Sequence, residues 1–123
     1  FDPREYLELA KQSRSRAANE ATDRAAIGRA YYAAFLVTRE YIDRRQIATR
    51  PTAGQRWGSH ESVIFAVGAI RVRGARGIQK RLFRLKKLRT LADYDLAYTH
   101  AKGDVDRAIR DAERVIVWID GLP

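Results

Sequence analysis

Residues 24–35 read RAAIGRAYYAAF, and this alanine- and tyrosine-rich stretch decides the fold. Apolar residues recur in this stretch at spacings of three and four residues. The same spacing continues to residue 42, as expected for one buried face of an α-helix. That face consists of Ile27, Ala30, Tyr31, Ala34, Thr38, Tyr41 and Ile42. Tyr32, Phe35 and Leu36 widen it. The pattern predicts a central helix over about 22–45, capped by Thr22.

Four more segments with helical signals surround this one. Asp2 and Pro3 are typical of a helix start, and Ser59 and Asp104 are further N-cap candidates. Residues 50–59, with Pro51, predict a loop, and residues 97–103 predict a linker. No segment alternates as a strand would, so we predict one all-α domain over residues 1–123, an antiparallel up-and-down bundle of four to five helices. The expected helices are about 3–19, 22–45, 60–70, 78–95 and 104–120.

The positive charge is concentrated in one segment. The chain has 24 basic and 15 acidic residues, a net charge of +9. The segment between Ser62 and Ala92 contains nine bases and no acid, so the remainder has 24 − 9 = 15 bases against 15 acids. Such a segment attracts polyanions, although a solvated helix face has the same composition. The candidates for nucleic-acid binding are Arg71, Arg73, Arg76, Lys80, Arg81, Arg84 and Lys87.

The composition argues against several other classes of protein. There is no cysteine, and two histidines are too few for a histidine-based metal cluster, so we expect neither a metal nor another cofactor. The apolar runs are far shorter than a membrane span, and no secretory signal is visible. We therefore expect a cytoplasmic protein without membrane association.

Two stretches carry a resemblance to a known family. Residues 24–35 resemble the second helix of a prokaryotic subfamily of HEPN domains, the higher eukaryote and prokaryote nucleotide-binding family. Residues 88–95, LRTLADYD, are similar to the end of the fourth helix in the same group, and Gly58-Ser59-His60-Glu61 looks like its loop-to-helix junction. The resemblance follows the order of the motifs along nearly the whole chain.

This resemblance implies a helical bundle that often forms homodimers and has an RNA-linked or nucleotide-linked role. Many members are metal-independent ribonucleases, frequently toxins paired with a nucleotidyltransferase antitoxin. Their catalytic signature is an arginine followed, after four to six residues, by a histidine on the fourth helix. The arginine matches Arg89, but residues 93–96 are Asp, Tyr, Asp and Leu, and His100 lies in the predicted linker. Whether the chain is an enzyme is thus left open by its sequence.

The residues near Arg89 permit two interpretations. A guanidinium group suits phosphate binding, Asp93 one helical turn away could serve as a base, and Tyr94 stands near the place of the family histidine. The alternative is a structural ion pair between Arg89 and Asp93. His60 could transfer protons or be a surface or capping residue.

Residues of the central helix add to this candidate site. Arg29 could contact phosphate, although we favour a pairing with Asp93 or Asp95. Tyr31 and Tyr32 could stack on bases, but tyrosines among alanines at helical spacing favour the core. Tyr32 is accordingly a supporting residue. The leading hypothesis is a HEPN-type RNA- or nucleotide-associated protein, toxin-like and ribonuclease-related. The alternative is a non-catalytic module for dimerisation or protein interaction.

Overall fold

The computed structural model describes residues 1–15, 19–49 and 59–123. Within these ranges five helices follow one another: α1 (Arg4–Ser15), α2 (Glu20–Arg44), α3 (Ser59–Gly68), α4 (Ala75–Tyr94) and α5 (Ala101–Asp120). The described ranges contain no strand, and the prediction of an all-α bundle is confirmed. Most of the loop predicted over 50–59 lies outside the described residues, as do residues 16–18 of the first predicted helix.

The central position predicted for α2 is confirmed, because this helix packs against each of the other four. Tyr31, Phe35 and Ile27 are among its fully buried side chains. Hydrogen bonds at its two ends fix the directions of its neighbours. Arg24 reaches the last turn of α4, whereas Tyr41 reaches Pro123 after the end of α5. Therefore α4 runs antiparallel to α2, and α5 runs parallel to it.

The predicted caps of two helices are wrong by one turn or less. Asn19, not Thr22, is the N-cap of α2: its side-chain oxygen accepts from the Thr22 amide, and its own amide donates to Thr22 Oγ1, both at 2.9 Å. Thr22 is thus the third residue of a capping box. Asp104 lies inside α5, where its carboxylate accepts a 2.8 Å hydrogen bond from the Tyr98 hydroxyl, and His100 holds the cap position.

The fourth helix begins three residues earlier than predicted. Gly74 precedes it with a φ of 97°, a backbone conformation that favours glycine. A Cβ atom at this position would also lie 2.9 Å from Nε1 of Trp118. That indole nitrogen donates a 3.0 Å hydrogen bond to the carbonyl of Arg73, so Trp118 closes the end of the bundle where α4 begins.

None of the helices in the described ranges combines the length and the apolar character needed to cross a bilayer.

Candidate functional site

Packing of α2 against α4 brings the two motifs of the sequence together. Arg24, the first residue of the α2 motif, donates hydrogen bonds to the carbonyl oxygens of Ala92 at 3.1 Å and Asp95 at 2.9 Å. It also binds the carbonyl of Tyr98. Because the last carbonyls of a helix have no partner within it, this guanidinium group caps the end of α4. Sequence reasoning missed this role of Arg24, because no local pattern shows which helix end an arginine of another helix will meet.

A glycine allows the acidic residue of the α4 motif to approach α2. A Cβ atom at Gly28 would lie 3.5 Å from Oδ1 of Asp93, so Asp93 rests directly over the small residue. The same carboxylate pairs with Arg89, at 3.0 Å between Nε and Oδ2. Their orientation does not make a hydrogen bond, and Nε of Arg89 has no hydrogen-bond acceptor among the described residues. Asp93 therefore balances the charge of Arg89 without occupying its Nε proton.

Arg89 is also held by aromatic side chains. One terminal nitrogen of its guanidinium group donates a 2.7 Å hydrogen bond to the Tyr32 hydroxyl. The group lies 5.2 Å from the ring centroid of Tyr32 and 5.6 Å from that of Tyr94, both within the range of a cation–π interaction. Its side chain is only 18% exposed, whereas Tyr94 is 71% exposed. The bundle thus fixes Arg89 with one edge near solvent.

His60 enters the same region from the first turn of α3. Its Nδ1 atom lies 2.7 Å from the Tyr31 hydroxyl, and its ring stacks on Phe35 with 4.1 Å between centroids. The ring meets Tyr32 edge-on at 6.5 Å. Three aromatic residues of α2 therefore fix the imidazole, and Nε2 is the nitrogen left for another partner.

Burial and nearby positive charge both disfavour a proton on His60. Desolvation is the main cause that lowers the pKa of His60 from its ordinary value, followed by the positive charges of Arg89, Lys86 and Arg39. Burial likewise raises the pKa of Tyr31, so its phenol keeps its proton at neutral pH. A neutral imidazole beside a cationic guanidinium group is the result.

His60, Arg89, Tyr31, Tyr32 and Asp93 form what we call the His60–Arg89 cluster. Four of its members, all except Tyr31, were predicted as site residues from the sequence. Tyr94, also predicted, lies at the edge of the cluster. Arg29 does not join it: within the described ranges no ion pair or hydrogen bond links Arg29 to Asp93 or Asp95. The expected pairing of Arg29 is therefore wrong, because Arg89 and Gly28 already occupy the two sides of Asp93.

The predicted basic segment divides into free and paired residues. Asp111 of α5, whose side chain is 8% exposed, binds Arg84 at 2.9 Å and lies 3.6 Å from Arg81. These two arginines thus help to attach α4 to α5. The remaining candidates are exposed at the start of α4 and along its outer side: Arg71, Arg73, Arg76, Lys80 and Lys87.

Comparison with known proteins identifies the family. No curated protein and no solved structure matches the chain. The HEPN domain family matches residues 4–122, which include all five helices and the whole His60–Arg89 cluster. This match agrees with the resemblance of the two motifs that Arg24 and Arg89 now connect in space. The chain belongs to the HEPN domain family.

Proposed function

We propose that this HEPN protein acts on RNA and that the His60–Arg89 cluster is its metal-independent ribonuclease site. The observation that carries the proposal is the convergence of His60 and Arg89 on the adjacent Tyr31 and Tyr32. The histidine that the family places on the fourth helix has no counterpart there. In this chain, α3 supplies an imidazole to the same arginine.

The cluster contains the groups that such a cleavage needs. With its proton on Nδ1, which then donates to the Tyr31 oxygen, the neutral imidazole of His60 accepts the proton of an RNA 2′-hydroxyl at Nε2, and the 2′-oxygen forms a bond to phosphorus. The bond from phosphorus to the 5′-oxygen breaks, and that oxygen takes a proton from water. Arg89 stabilises the charge on the phosphate oxygens with the edge of its guanidinium group that lies near solvent, whereas its Nε atom is buried beside Asp93. The products are a 2′,3′-cyclic phosphate and a 5′-hydroxyl.

Asp93 and Tyr94 have supporting roles in this proposal. Asp93 holds Arg89 in position from one turn further along α4, instead of acting as the base. Tyr94, exposed at the end of α4, offers a ring on which a base can stack next to the bound phosphate. Tyr32 orients Arg89 through its hydroxyl group.

Membership in the family supports a wider setting for this activity. We infer a cytoplasmic homodimer that serves as the toxin-like half of a two-gene module, with a nucleotidyltransferase as its antitoxin. The exposed bases of α4 would hold the RNA near the site. A test of the module is expression of the protein alone: growth should be inhibited by the wild type and not by Arg89→Ala.

A second function has one specific observation in its favour. The guanidinium group of Arg89 donates a hydrogen bond to Tyr32 and pairs with Asp93, and its side chain is largely buried. A structural arginine of this kind suits a non-catalytic helical module that dimerises or binds another protein. Such a module would neither cleave RNA nor inhibit growth.

RNA cleavage in the presence of EDTA separates the two functions. The purified wild type should produce fragments ending in 2′,3′-cyclic phosphate, whereas His60→Asn should lose about 10²–10⁴-fold in rate. The matched control is His100→Asn, because His100 is exposed at the start of α5. Absence of cleavage by the wild type, or equal rates for wild type and His60→Asn, would favour the non-catalytic module.

A further inference from the structure

Three acidic side chains of α5 lie on one side of the helix. Its acids at 106, 113 and 120 follow one another at intervals of seven residues and face α1. Asp106 accepts a 2.8 Å hydrogen bond from Arg14, and Glu113 lies 3.6 Å from Lys11. Asp120 accepts a 3.3 Å hydrogen bond from Arg4. The acids on this side of α5 are thus neutralised within the bundle.

Three arginines occupy another side of the same helix. Arg107, Arg110 and Arg114 are exposed. Arg107 is four residues before Asp111, and Arg114 is four residues before Trp118, so each shares a side of α5 with a residue that contacts α4. Within the described ranges none of the three is in an ion pair. Arg107 and Arg114 therefore border the groove between α5 and α4, and Arg110 extends the row on the outer side of α5.

A second row of bases lies along the outer side of α4, where Arg84 borders the groove through its ion pair with Asp111. Arg76, Lys80, Arg84 and Lys87 are exposed and follow one another at intervals of three or four residues. Asp111, paired with Arg81 and Arg84, is the acid between the two rows. Together with Arg81 the rows contain eight bases against this one acid, which gives 8 − 1 = +7 of the net +9 of the chain.

We propose that these two rows, which we call the basic face, bind the phosphate backbone of RNA, with α5 contributing as much as α4. The proposal rests on the RNA-directed function proposed above. It adds to that function the three arginines of α5, which lie outside the basic segment between Ser62 and Ala92. The row on α4 extends over about 16 Å at 1.5 Å per residue, the length of about five nucleotides.

The composition of the basic face favours backbone contacts over contacts with bases. Among the described residues, the aromatic side chains within the span of the two rows are Phe83 and Trp118, both half-buried and packed against the core, and the exposed ring of Tyr94 lies two turns beyond Lys87. Among its described residues, the basic face itself therefore has no exposed ring on which an unpaired base could stack. Its positive charge is the feature that can bind RNA. Binding should be strongly dependent on salt and nearly independent of base sequence.

A salt titration of RNA binding tests the proposal with two variants of equal charge. Arg107→Gln/Arg114→Gln removes two bases of the basic face, and Arg44→Gln/Lys102→Gln removes two exposed bases elsewhere. Fluorescence anisotropy with a labelled 20-nucleotide RNA should show about tenfold weaker binding for the first variant at low salt. Its slope of log K against log salt should also be smaller by about two, whereas the control keeps the slope of the wild type.

The outcomes separate this proposal from the function on which it rests. Equal slopes of log K against log salt for wild type and Arg107→Gln/Arg114→Gln would overturn the proposal that the basic face binds RNA, even if the wild type cleaves RNA. Cleavage by this variant at saturating RNA, together with its weaker binding, would support both proposals. A wild type that does not bind RNA even at low salt would overturn both.

Discussion

Arg89 has three neighbours that compete for its guanidinium group. Tyr32 accepts its hydrogen bond, Asp93 balances its charge, and Tyr94 covers one face. The Tyr32 contact stabilises the α2–α4 packing and the Asp93 contact lies within α4, whereas phosphate binding would need the side that faces solvent. A structural role and a catalytic role are therefore compatible, and mutation should affect both stability and activity.

The variant Arg89→Ala should lower the free energy of unfolding by about 2–3 kcal/mol, measured by urea denaturation. The loss combines a hydrogen bond made by a charged donor, two cation–π contacts and an ion pair one turn along the helix. The value lies below that of a fully buried pair because both partners touch solvent. Tyr32→Phe, which removes only the hydroxyl group, is the matched control and should cost about 1 kcal/mol. A loss below about 0.5 kcal/mol for Arg89→Ala would show that these contacts contribute nothing.

His60 should make stability dependent on pH. Folding lowers its pKa, so the unfolded chain binds more protons as the pH falls below the ordinary histidine value of about 6.5. The contribution of His60 to stability is thus complete above that pH and is lost toward pH 5. Melting temperatures between pH 7 and 5 should fall less in His60→Asn than in the wild type. His100→Asn retains His60 and should keep the wild-type dependence; equal slopes in all three proteins would contradict the explanation.

Sequence reasoning found part of the site for clear physical reasons. The pairing of Arg89 with Asp93 follows from helical geometry, which places side chains four residues apart on one side. The contact of His60 with Tyr31 joins residues 29 positions apart on different helices, so no local pattern reveals it. The expected pairing of Arg29 failed for the same reason, because it required the rotation of α2 relative to α4.

At the level of the helices, the end of α4 depends on a residue of α2. The side chain of Arg24 binds carbonyl oxygens in the last turn of α4 and just beyond it. Since α4 also holds Arg89 and Asp93 in its final turns, this cap determines where the His60–Arg89 cluster forms.

We expect Arg24→Ala to lower the free energy of unfolding by about 2–3 kcal/mol, because several carbonyl acceptors lose one charged donor. Amide hydrogen exchange should accelerate in residues 91–95 before it does elsewhere in α4. Arg44→Ala, at an exposed position of the same helix, is the matched control and should stay within about 0.5 kcal/mol of the wild type. Equal protection of residues 91–95 in both variants would show that Arg24 does not cap the helix.

The periodicity of the apolar residues predicts the helices themselves. It predicts the residues at which the helices start less well. All seven residues of the predicted apolar stripe on α5, from Val105 to Ile119, are buried. Its start was misplaced because Asp104, a good capping residue, instead accepts a hydrogen bond from Tyr98. The start of α4 depends on Gly74 beneath Trp118, which lies 44 positions later in the chain. Candidate capping residues are recognised from the local sequence. Contacts with residues far away in the chain decide which candidate caps the helix.

For the whole molecule, a homodimer remains our expectation. An outer stripe of α2, including Arg29, Tyr32 and Leu36, is only half-buried within one chain and borders the His60–Arg89 cluster. A second copy packed there would bring two arginines to one cleft. Light scattering at tens of micromolar should give twice the mass of one chain. A mass of one chain over that range would exclude a stable dimer.

In the proposed mechanism, His60 and Arg89 act together on one phosphodiester. A double-mutant cycle of cleavage rates tests whether they do. Rates at saturating RNA in EDTA would be compared for wild type, His60→Asn, Arg89→Lys and the double variant, with Arg44→Lys as the control. Residues that act as a unit lose their effects together, so the double variant should be about as slow as the slower single variant. Losses that multiply, or a wild type without cleavage, would contradict a shared site.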